Sequence, residues 1–324
     1  MTIEHTETQN NLFEACVESD LVRIKGAGLP GIVSANFTRR AFWKQKWDST
    51  TVKARGLFFN ENTGEIVARG YDKFFNLGEP NGYQNFGDMV KAGEDSLMTC
   101  SLKYNGFLTI VSVINGELVF FSKSGVTTFS KLAEDIFYQK FNSEQASILK
   151  EFLGNNNYSA TFECLSILDP HICKIEEDNI VLLDVIRNTE DFIALEKSEY
   201  ENILGFLMGE EDIIVSEQLS LDDEEIFNNI IGGVNDRRLE GVVVRFGNNR
   251  NLMSKVKTDW YVGVKDFRSV ISSKKSRQPR TAYGKELLEK LNDSGIDIND
   301  FLVDNILGSK SFDMFSLVSA IENG

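Results

Sequence analysis

KYNGFLTIVSVINGELVFFSK, residues 103–123, sets the architecture. Two apolar runs, Phe107–Ile114 and Glu117–Lys123, flank Asn115-Gly116, and an Asn-Gly pair suits the two positive-φ positions of a type I′ turn. The segment predicts a hairpin whose cross-strand partners sum to 231, so that Lys123 lies opposite Leu108 and returns to the end where Lys103 stands.

The same pattern extends outward. From residue 50 to 270, short runs of Val, Ile, Phe and Leu are broken by Thr-Gly, Asn-Gly and Gly-Asn-Asn turn signals, which predicts mostly antiparallel sheet. Two further hairpins follow: Arg55–Asn60 with Glu65–Tyr71 across ENTG, and Val242–Gly247 with Leu252–Lys257 across an Asn-rich turn. In the last, partners sum to about 497, setting Glu240 near Lys257 and Val242 near Lys255. Period-two alternation puts Lys255 and Lys257 on one face, and in TFECLS it groups Thr161, Glu163 and Leu165 against Phe162 and Cys164. A helix is predicted from Ser220, with Asp222, Asp223, Glu224 and Glu225 in its first turn, ending at Gly232-Gly233. After residue 270, SSKKSRQPR reads as a basic connector. Residues 282–324 show helical spacing through Leu287, Leu291, Leu302, Ile306, Leu317 and Ile321.

A chain of 324 residues, 42% hydrophobic and 26% charged, has enough apolar material for one large core or two modest ones, which excludes a disordered or fibrous class. No apolar run approaches the roughly 18 residues of a membrane span, and MTIEHTETQNNLF lacks a secretion signal. A soluble, cytoplasmic protein is expected. Four scattered cysteines without a CxxC pair suit a reducing compartment and exclude a structural zinc site. The net charge of −15 argues against a polyanionic partner. Its distribution does not: residues 190–240 hold fifteen acids against three bases, whereas 245–290 hold twelve bases against four acids, so a polyanion can bind locally.

Some motifs mislead. Gly26–Gly31 fits GxGxxG, but IVSANF follows it, a strand where a dinucleotide site needs a helix. Two histidines, His5 and His171, give no triad, and no GxxxxGK[ST] phosphate loop occurs. Arg39, Arg40, Phe42, Trp43, Lys44, Lys46 and Trp47 suit either a nucleic-acid contact or an amphipathic helix that packs its aromatics inward.

The chemistry gathers around Lys103. A lysine amine attacks phosphorus only when neutral, a state that neighbouring cations favour, and the same cations bind the phosphate oxygens under attack. Lys255 and Lys257 supply such cations, and Glu163 with Glu240 supply carboxylates suited to Mg²⁺.

KYNG at 103–106, FE at 162–163, EGVVVR at 240–245 and KVK at 255–257 resemble, in order and spacing, nucleotidyl motifs I, III, IV and V of the covalent nucleotidyltransferases. ARGLFF at 54–59 and RGYDKFFNLGE at 69–79 make the chain most similar to the bacteriophage RNA ligase 1 family and the ligase domain of fungal and plant tRNA ligases. The resemblance, from about residue 50 to 268, implies an α+β fold of the DNA/RNA-ligase nucleotidyltransferase type, unrelated to ATP-grasp. It has an antiparallel-sheet core with flanking helices, forming an adenylyltransferase domain at 1–268, and a small all-α domain at 269–324. It further implies an ATP-dependent RNA ligase using Mg²⁺ or Mn²⁺. Lys103 would take AMP covalently from ATP, and the AMP would pass to an RNA 5′-phosphate that a 3′-hydroxyl then displaces, in RNA repair or tRNA splicing. By the same resemblance Arg55, Lys73, Asn105, Gly106, Lys123, Glu163, Lys255, Lys257 and Tyr261 bind ATP. Glu163 and Glu240 hold metal, and Lys255, Lys257 and Glu240 join Lys103 in catalysis. Asn105 stands where phage enzymes carry aspartate and tRNA ligases commonly carry asparagine, and it supplies no charge to a metal. Sixty-seven residues follow Lys257 and read as helix, unlike the OB-fold that DNA ligases and capping enzymes append.

A monomer is expected, with any end-healing kinase or phosphatase on a separate chain. A sealing enzyme requiring a 2′-phosphate end and a non-catalytic RNA-end-binding protein stay open as alternatives. Glu240→Ala is expected to leave folding intact and abolish sealing.

Overall fold

The computed structural model describes residues 11–94, 98–208, 213–217, 223–247, 252–273 and 277–323. Among the described residues, twelve strands run up to residue 257: β1 (Val22–Gly26), β2 (Ile32–Phe37), β3 (Leu57–Asn60), β4 (Ile66–Arg69), β5 (Met98–Leu102), β6 (Phe107–Ile114), β7 (Glu117–Phe121), β8 (Tyr158–Leu165), β9 (Asn179–Arg187), β10 (Ile213–Glu217), β11 (Gly241–Phe246) and β12 (Leu252–Lys257). They form three four-stranded antiparallel sheets, ordered β1-β2-β3-β4, β7-β6-β8-β9 and β10-β5-β11-β12. The mixture of antiparallel sheet and flanking helix is the α+β nucleotidyltransferase architecture that the motifs imply.

The Asn-Gly hairpin forms with the expected register, Ile110 opposite Phe121 and Ile114 opposite Glu117, around Asn115 and Gly116 at φ 52° and 79°. Gly26–Gly31 is the turn between β1 and β2, with Gly28 and Gly31 at positive φ, and no helix follows it. The last hairpin is displaced by one residue: Gly241 faces Lys257, and Val243 rather than Val242 faces Lys255. Gly241 permits this, because a β-carbon there would lie 2.0 Å from the Val256 carbonyl oxygen. The Asn-rich turn lies outside the described residues.

Each sheet buries its apolar face differently. The first two pack on each other through Phe58 and Phe121, stacked with centroids 4.3 Å apart, beside Ile110 and Ala68. Helices Thr128–Lys140 and Ser143–Asn156, each opened by a capping box, cover the far side of the second sheet through Phe137, Leu149 and Phe162. Helices Phe86–Ala92 and Glu224–Asp236 cover the third through Met89, Phe227 and Val244. The second of these helices departs from expectation: it begins at Glu224, Ser220 lying outside the described residues, and runs through Gly232-Gly233 to Asp236. Val234 is buried beside the core while both glycines face open space, so packing carries the helix past residues that would weaken it alone.

The tail is largely helical, with helices Ala282–Ser294 and Met314–Asn323. It is not helical throughout: β13 (Leu302–Asp304) pairs with β14 (Lys310–Phe312). The Asn305 side-chain oxygen accepts from the N–H groups of Leu307 and Ser309, a local turn that competes with helix where Ile306 and Leu307 had the spacing for one. Helix Asp259–Ile271 shares one core with the tail through Trp260, Val264, Phe267, Leu287, Met314 and Val318, so residue 268 falls inside an element that packs on both sides. Among the described residues, no helix is long and apolar enough to cross a membrane.

Candidate active site

A cavity of about 540 Å³ opens between the second and third sheets. Ser101, Val243, Arg245 and Lys255 line it from one sheet, Leu108, Glu163 and Leu182 from the other, and Arg55, Tyr71, Phe74 and Lys103 complete the wall. Lys103 follows directly on β5 and is pinned to β11 by its N–H, which donates to the Gly241 carbonyl at 2.9 Å. Its Nζ lies 3.0 Å from Glu240 Oε1. The β6–β8 pairing brings Gly106 so close to Cys164 that a β-carbon would sit 2.1 Å from the carbonyl oxygen there. Only glycine fits, and its N–H donates to Glu163 Oε1 at 3.0 Å, aiming that carboxylate at the cavity.

Glu240 holds a second cluster behind Lys103. Its side chain, only 4% exposed, also receives Lys257 Nζ at 2.8 Å and the Asn105 side-chain amide at 2.8 Å. Burial opposes ionisation of Glu240, but the ammonium groups of Lys103 and Lys257 outweigh it and hold the carboxyl below the ordinary range. Glu163 goes the other way: burial raises it, Glu240 adds to the rise, and Lys103 and the Gly106 N–H oppose it. Lys255, half-buried, is pushed down to about 7 by burial and then by Arg55, Lys73, Lys103 and Lys257. Lys123 falls to about 8 for burial and the charge of Arg55, and burial lowers Lys73 as well.

The structure thus sorts the residues singled out in the sequence. Arg55, Lys103, Glu163 and Lys255 line the cavity. Lys73 and Lys123 stand beside it, near enough to Arg55 to feel its charge, with their ammonium groups over Phe75 and Phe37. Glu240, Lys257, Asn105 and Tyr261 form the cluster behind Lys103, where Lys257 Nζ sits 4.7 Å from the Tyr261 ring centroid. Asn105 does not line the cavity. It is a buried strut: its oxygen accepts from the N–H groups of Ile172 and Cys173 at 3.0 and 3.1 Å, while its amide donates to Glu240 and to the Tyr261 hydroxyl.

Sequence reading missed the floor of the cavity. Tyr71 and Arg245 both donate to the fully buried carboxylate of Asp184, and the Thr161 hydroxyl lies within hydrogen-bond reach of the Asp184 backbone carbonyl and the Tyr71 hydroxyl. The available signal was Arg245 inside the apolar run VVVRF, since a charge in such a strand has to be paired.

Strand order, the lysine at the end of β5 and the carboxylate–lysine pair across β11 and β12 define a protein of the nucleotidyltransferase superfamily. The RNA ligase family model matches residues 53–265, and the chain belongs to that family. Solved structures share the fold. An archaeal ATP-dependent RNA ligase aligns in two crystal forms with TM-scores of 0.56 and 0.57 at 13% identity, over 89% of this chain and 71% of that one. A putative ATP-dependent DNA ligase from Aquifex aeolicus aligns at 0.55 and 14% identity, over 88% and 72%.

Proposed function

We propose that this RNA ligase seals RNA 5′-phosphate and 3′-hydroxyl ends with ATP, working through a covalent adenylate on Lys103. The observation that carries this is one amine at the border between a nucleotide-sized cavity and a buried carboxylate, with Arg55 and Lys255 on the same cavity wall and Lys73 and Lys123 close enough to Arg55 to feel its charge. Lys103 Nζ, in its neutral form, bonds to the α-phosphorus of ATP, the α–β phosphoanhydride bond breaks, and pyrophosphate leaves. The surrounding cations stabilise charge on the phosphate oxygens, and Glu240 Oε1, 3.0 Å from Nζ, is in reach of the proton the amine loses. The RNA 5′-phosphate then displaces the lysine from AMP, and a 3′-hydroxyl displaces AMP from the RNA.

Glu163, on the cavity wall, fits a hard divalent ion such as Mg²⁺ or Mn²⁺, which takes one or two carboxylates and completes its shell with phosphate oxygens and water. Glu240 has both oxygens engaged by Lys103, Lys257 and Asn105 and would serve such an ion through water or after those contacts yield. When bound, it would neutralise phosphate charge. The four cysteines are unpaired and three are buried, which supports a reducing, intracellular setting. We place the adenylyltransferase unit at 1–268 and assign 269–324 to substrate choice, the chain acting as a monomer on ends healed by other enzymes.

Incubation with Mg²⁺ and α-labelled ATP tests the reading. Label that survives denaturation and disappears in Lys103→Ala is the expected result. Label from GTP alone would move the chain to capping chemistry, and no label would leave an RNA-end binder.

A further inference from the structure

The aromatic–basic segment at 37–47 packs only some of its rings inward: Phe37 and Trp47 are half-buried, Phe42 and Trp43 are not. Phe42 and Trp43 are 38% and 77% exposed, a steep cost for two neighbouring apolar side chains in a protein whose other large aromatics are mostly covered. They open a continuous run of rings. Trp43 meets Phe42 at 5.4 Å, Phe42 stacks on Phe37 at 6.4 Å and 12°, Phe37 meets Trp47 at 5.0 Å, and Trp47 meets Phe75 at 5.6 Å.

Cations accompany the rings along their length. Arg39, Lys44 and Lys46 are exposed, and among the described residues none of them has an ion-pair partner, on a chain with fifteen more acids than bases. At the inner end, Lys73 Nζ lies 3.6 Å from the Phe75 centroid and Lys123 Nζ 4.6 Å from Phe37. The run then joins the cavity: Phe74, next to Phe75, lines it under Lys255 Nζ at 4.4 Å, and the Lys255 N–H donates to the Phe75 carbonyl at 3.0 Å.

We propose that this ledge is a nucleic-acid site that stacks unpaired bases of the RNA strand whose 5′-phosphate enters the cavity. The inference rests on the ligase reading and adds a binding surface to it. Faces of exposed rings suit any unpaired base, and positive charge beside them suits a sugar–phosphate backbone. Inside a duplex every base pair is already stacked on its neighbours and offers no free face, so only the two end pairs of a duplex could compete for the ledge. Continuity with Lys73 and Lys123 fixes the direction: the strand's phosphate end lies at the cations and its following bases run outward over Phe37, Phe42 and Trp43.

The test uses the full chain and 5′-phosphorylated single-stranded RNA. In single turnovers starting from the preformed adenylate, the RNA concentration giving half-maximal AMP transfer is expected to rise about tenfold in Trp43→Ala, the loss of one stacked base, and to recover in Trp43→Phe. Adenylate formation from ATP stays as in the parent chain. Indole fluorescence of the parent is quenched far more by the single strand than by a duplex of the same sequence, which exposes only its two end pairs. Lys44→Glu with Lys46→Glu flattens the salt dependence of binding.

Unchanged half-saturation in Trp43→Ala, equal quenching by duplex, or a ledge variant that instead abolishes self-association or capture of a protein would overturn the proposal. If the parent forms no adenylate, the ligase reading falls on its own, and the quenching experiment still reads the ledge.

Discussion

Lys255→Met should make the free protein more stable while disabling it. Lys255 carries its charge against burial and four other cations, and its proton affinity falls from the ordinary 10.5 to about 7. At roughly 1.4 kcal/mol per tenfold change in proton affinity, that fall corresponds to at most about 5 kcal/mol. The side chain keeps some contact with water, so a net cost of about 1–2 kcal/mol is the working figure. The sign follows from linkage. The unfolded chain holds this proton up to about 10.5 and the folded chain loses it near 7, so the cost is fully present below 7 and fades as pH climbs toward 10.5. Methionine keeps most of the aliphatic stem and removes the ammonium, which lies 4.4 Å from the Phe74 ring centroid. Thermal unfolding at pH 6.5 should place the variant roughly 2–3 °C above the parent, with the gap closing near pH 10. Pyrophosphate, which pairs the cations, should raise the parent's midpoint more than the variant's. A variant less stable than the parent at pH 6.5, or a gap unaltered at pH 10, would refute the view that these lysines repel one another in the empty site.

Four further outcomes follow from the structure. Glu240→Gln should fold and lower the rate of adenylate formation by about two orders of magnitude, read by label incorporation, because Lys103 loses the charge that holds it. Glu240→Ala should cost about 3–5 kcal/mol in denaturant unfolding, since it strands two lysines; the expectation that this change spares the fold fails on the burial of the carboxylate. Asn105→Asp sets a second carboxylate where an amide donates to Glu240 at 2.8 Å, so its melting point should fall, by about 2 kcal/mol of stability, and recover in part with Mg²⁺. The thiols of Cys16, Cys100 and Cys173, pushed up to about 12 chiefly by burial, should not react with a disulfide reagent in the native protein at pH 8; rapid reaction of any of them would contradict their packing.

The sheet was legible where side-chain periodicity and turn chemistry agree. Asn115-Gly116 has one good backbone solution, and its hairpin came out in register, whereas the β11–β12 register depended on a close backbone approach at Gly241 that no hydropathy pattern records. Helix Glu224–Asp236 ran through its glycines because Val234 had a core to enter, which is a tertiary fact. The tail hairpin turned on a single side-chain oxygen, that of Asn305. In the site, the lysines and carboxylates were visible as residue types at the right spacing. The division between cavity wall and supporting cluster was not, because β-strand parity assigns a face and not a depth. Lys255 and Lys257 share a face of β12, yet one lines the cavity and the other reaches Glu240 behind it.

Asn105 shows why such a position escapes sequence reasoning and how structure settles its chemistry. An aspartate there would present two acceptors, and two of its neighbours, the N–H groups of Ile172 and Cys173, would accept that exchange. The third neighbour, Glu240, would not, because it already presents an oxygen and a negative charge. An amide alone satisfies both sides at once, accepting from the backbone and donating to the carboxylate. Asparagine in KYNG therefore fixes the position of Glu240, while Lys103 and Lys257 keep it ionised. An aspartate in the same place would need a cation, a proton or a displaced Glu240 to be tolerated. The residue type at this one position thus sets whether the lysine's partner is held ready before the nucleotide arrives or only afterwards.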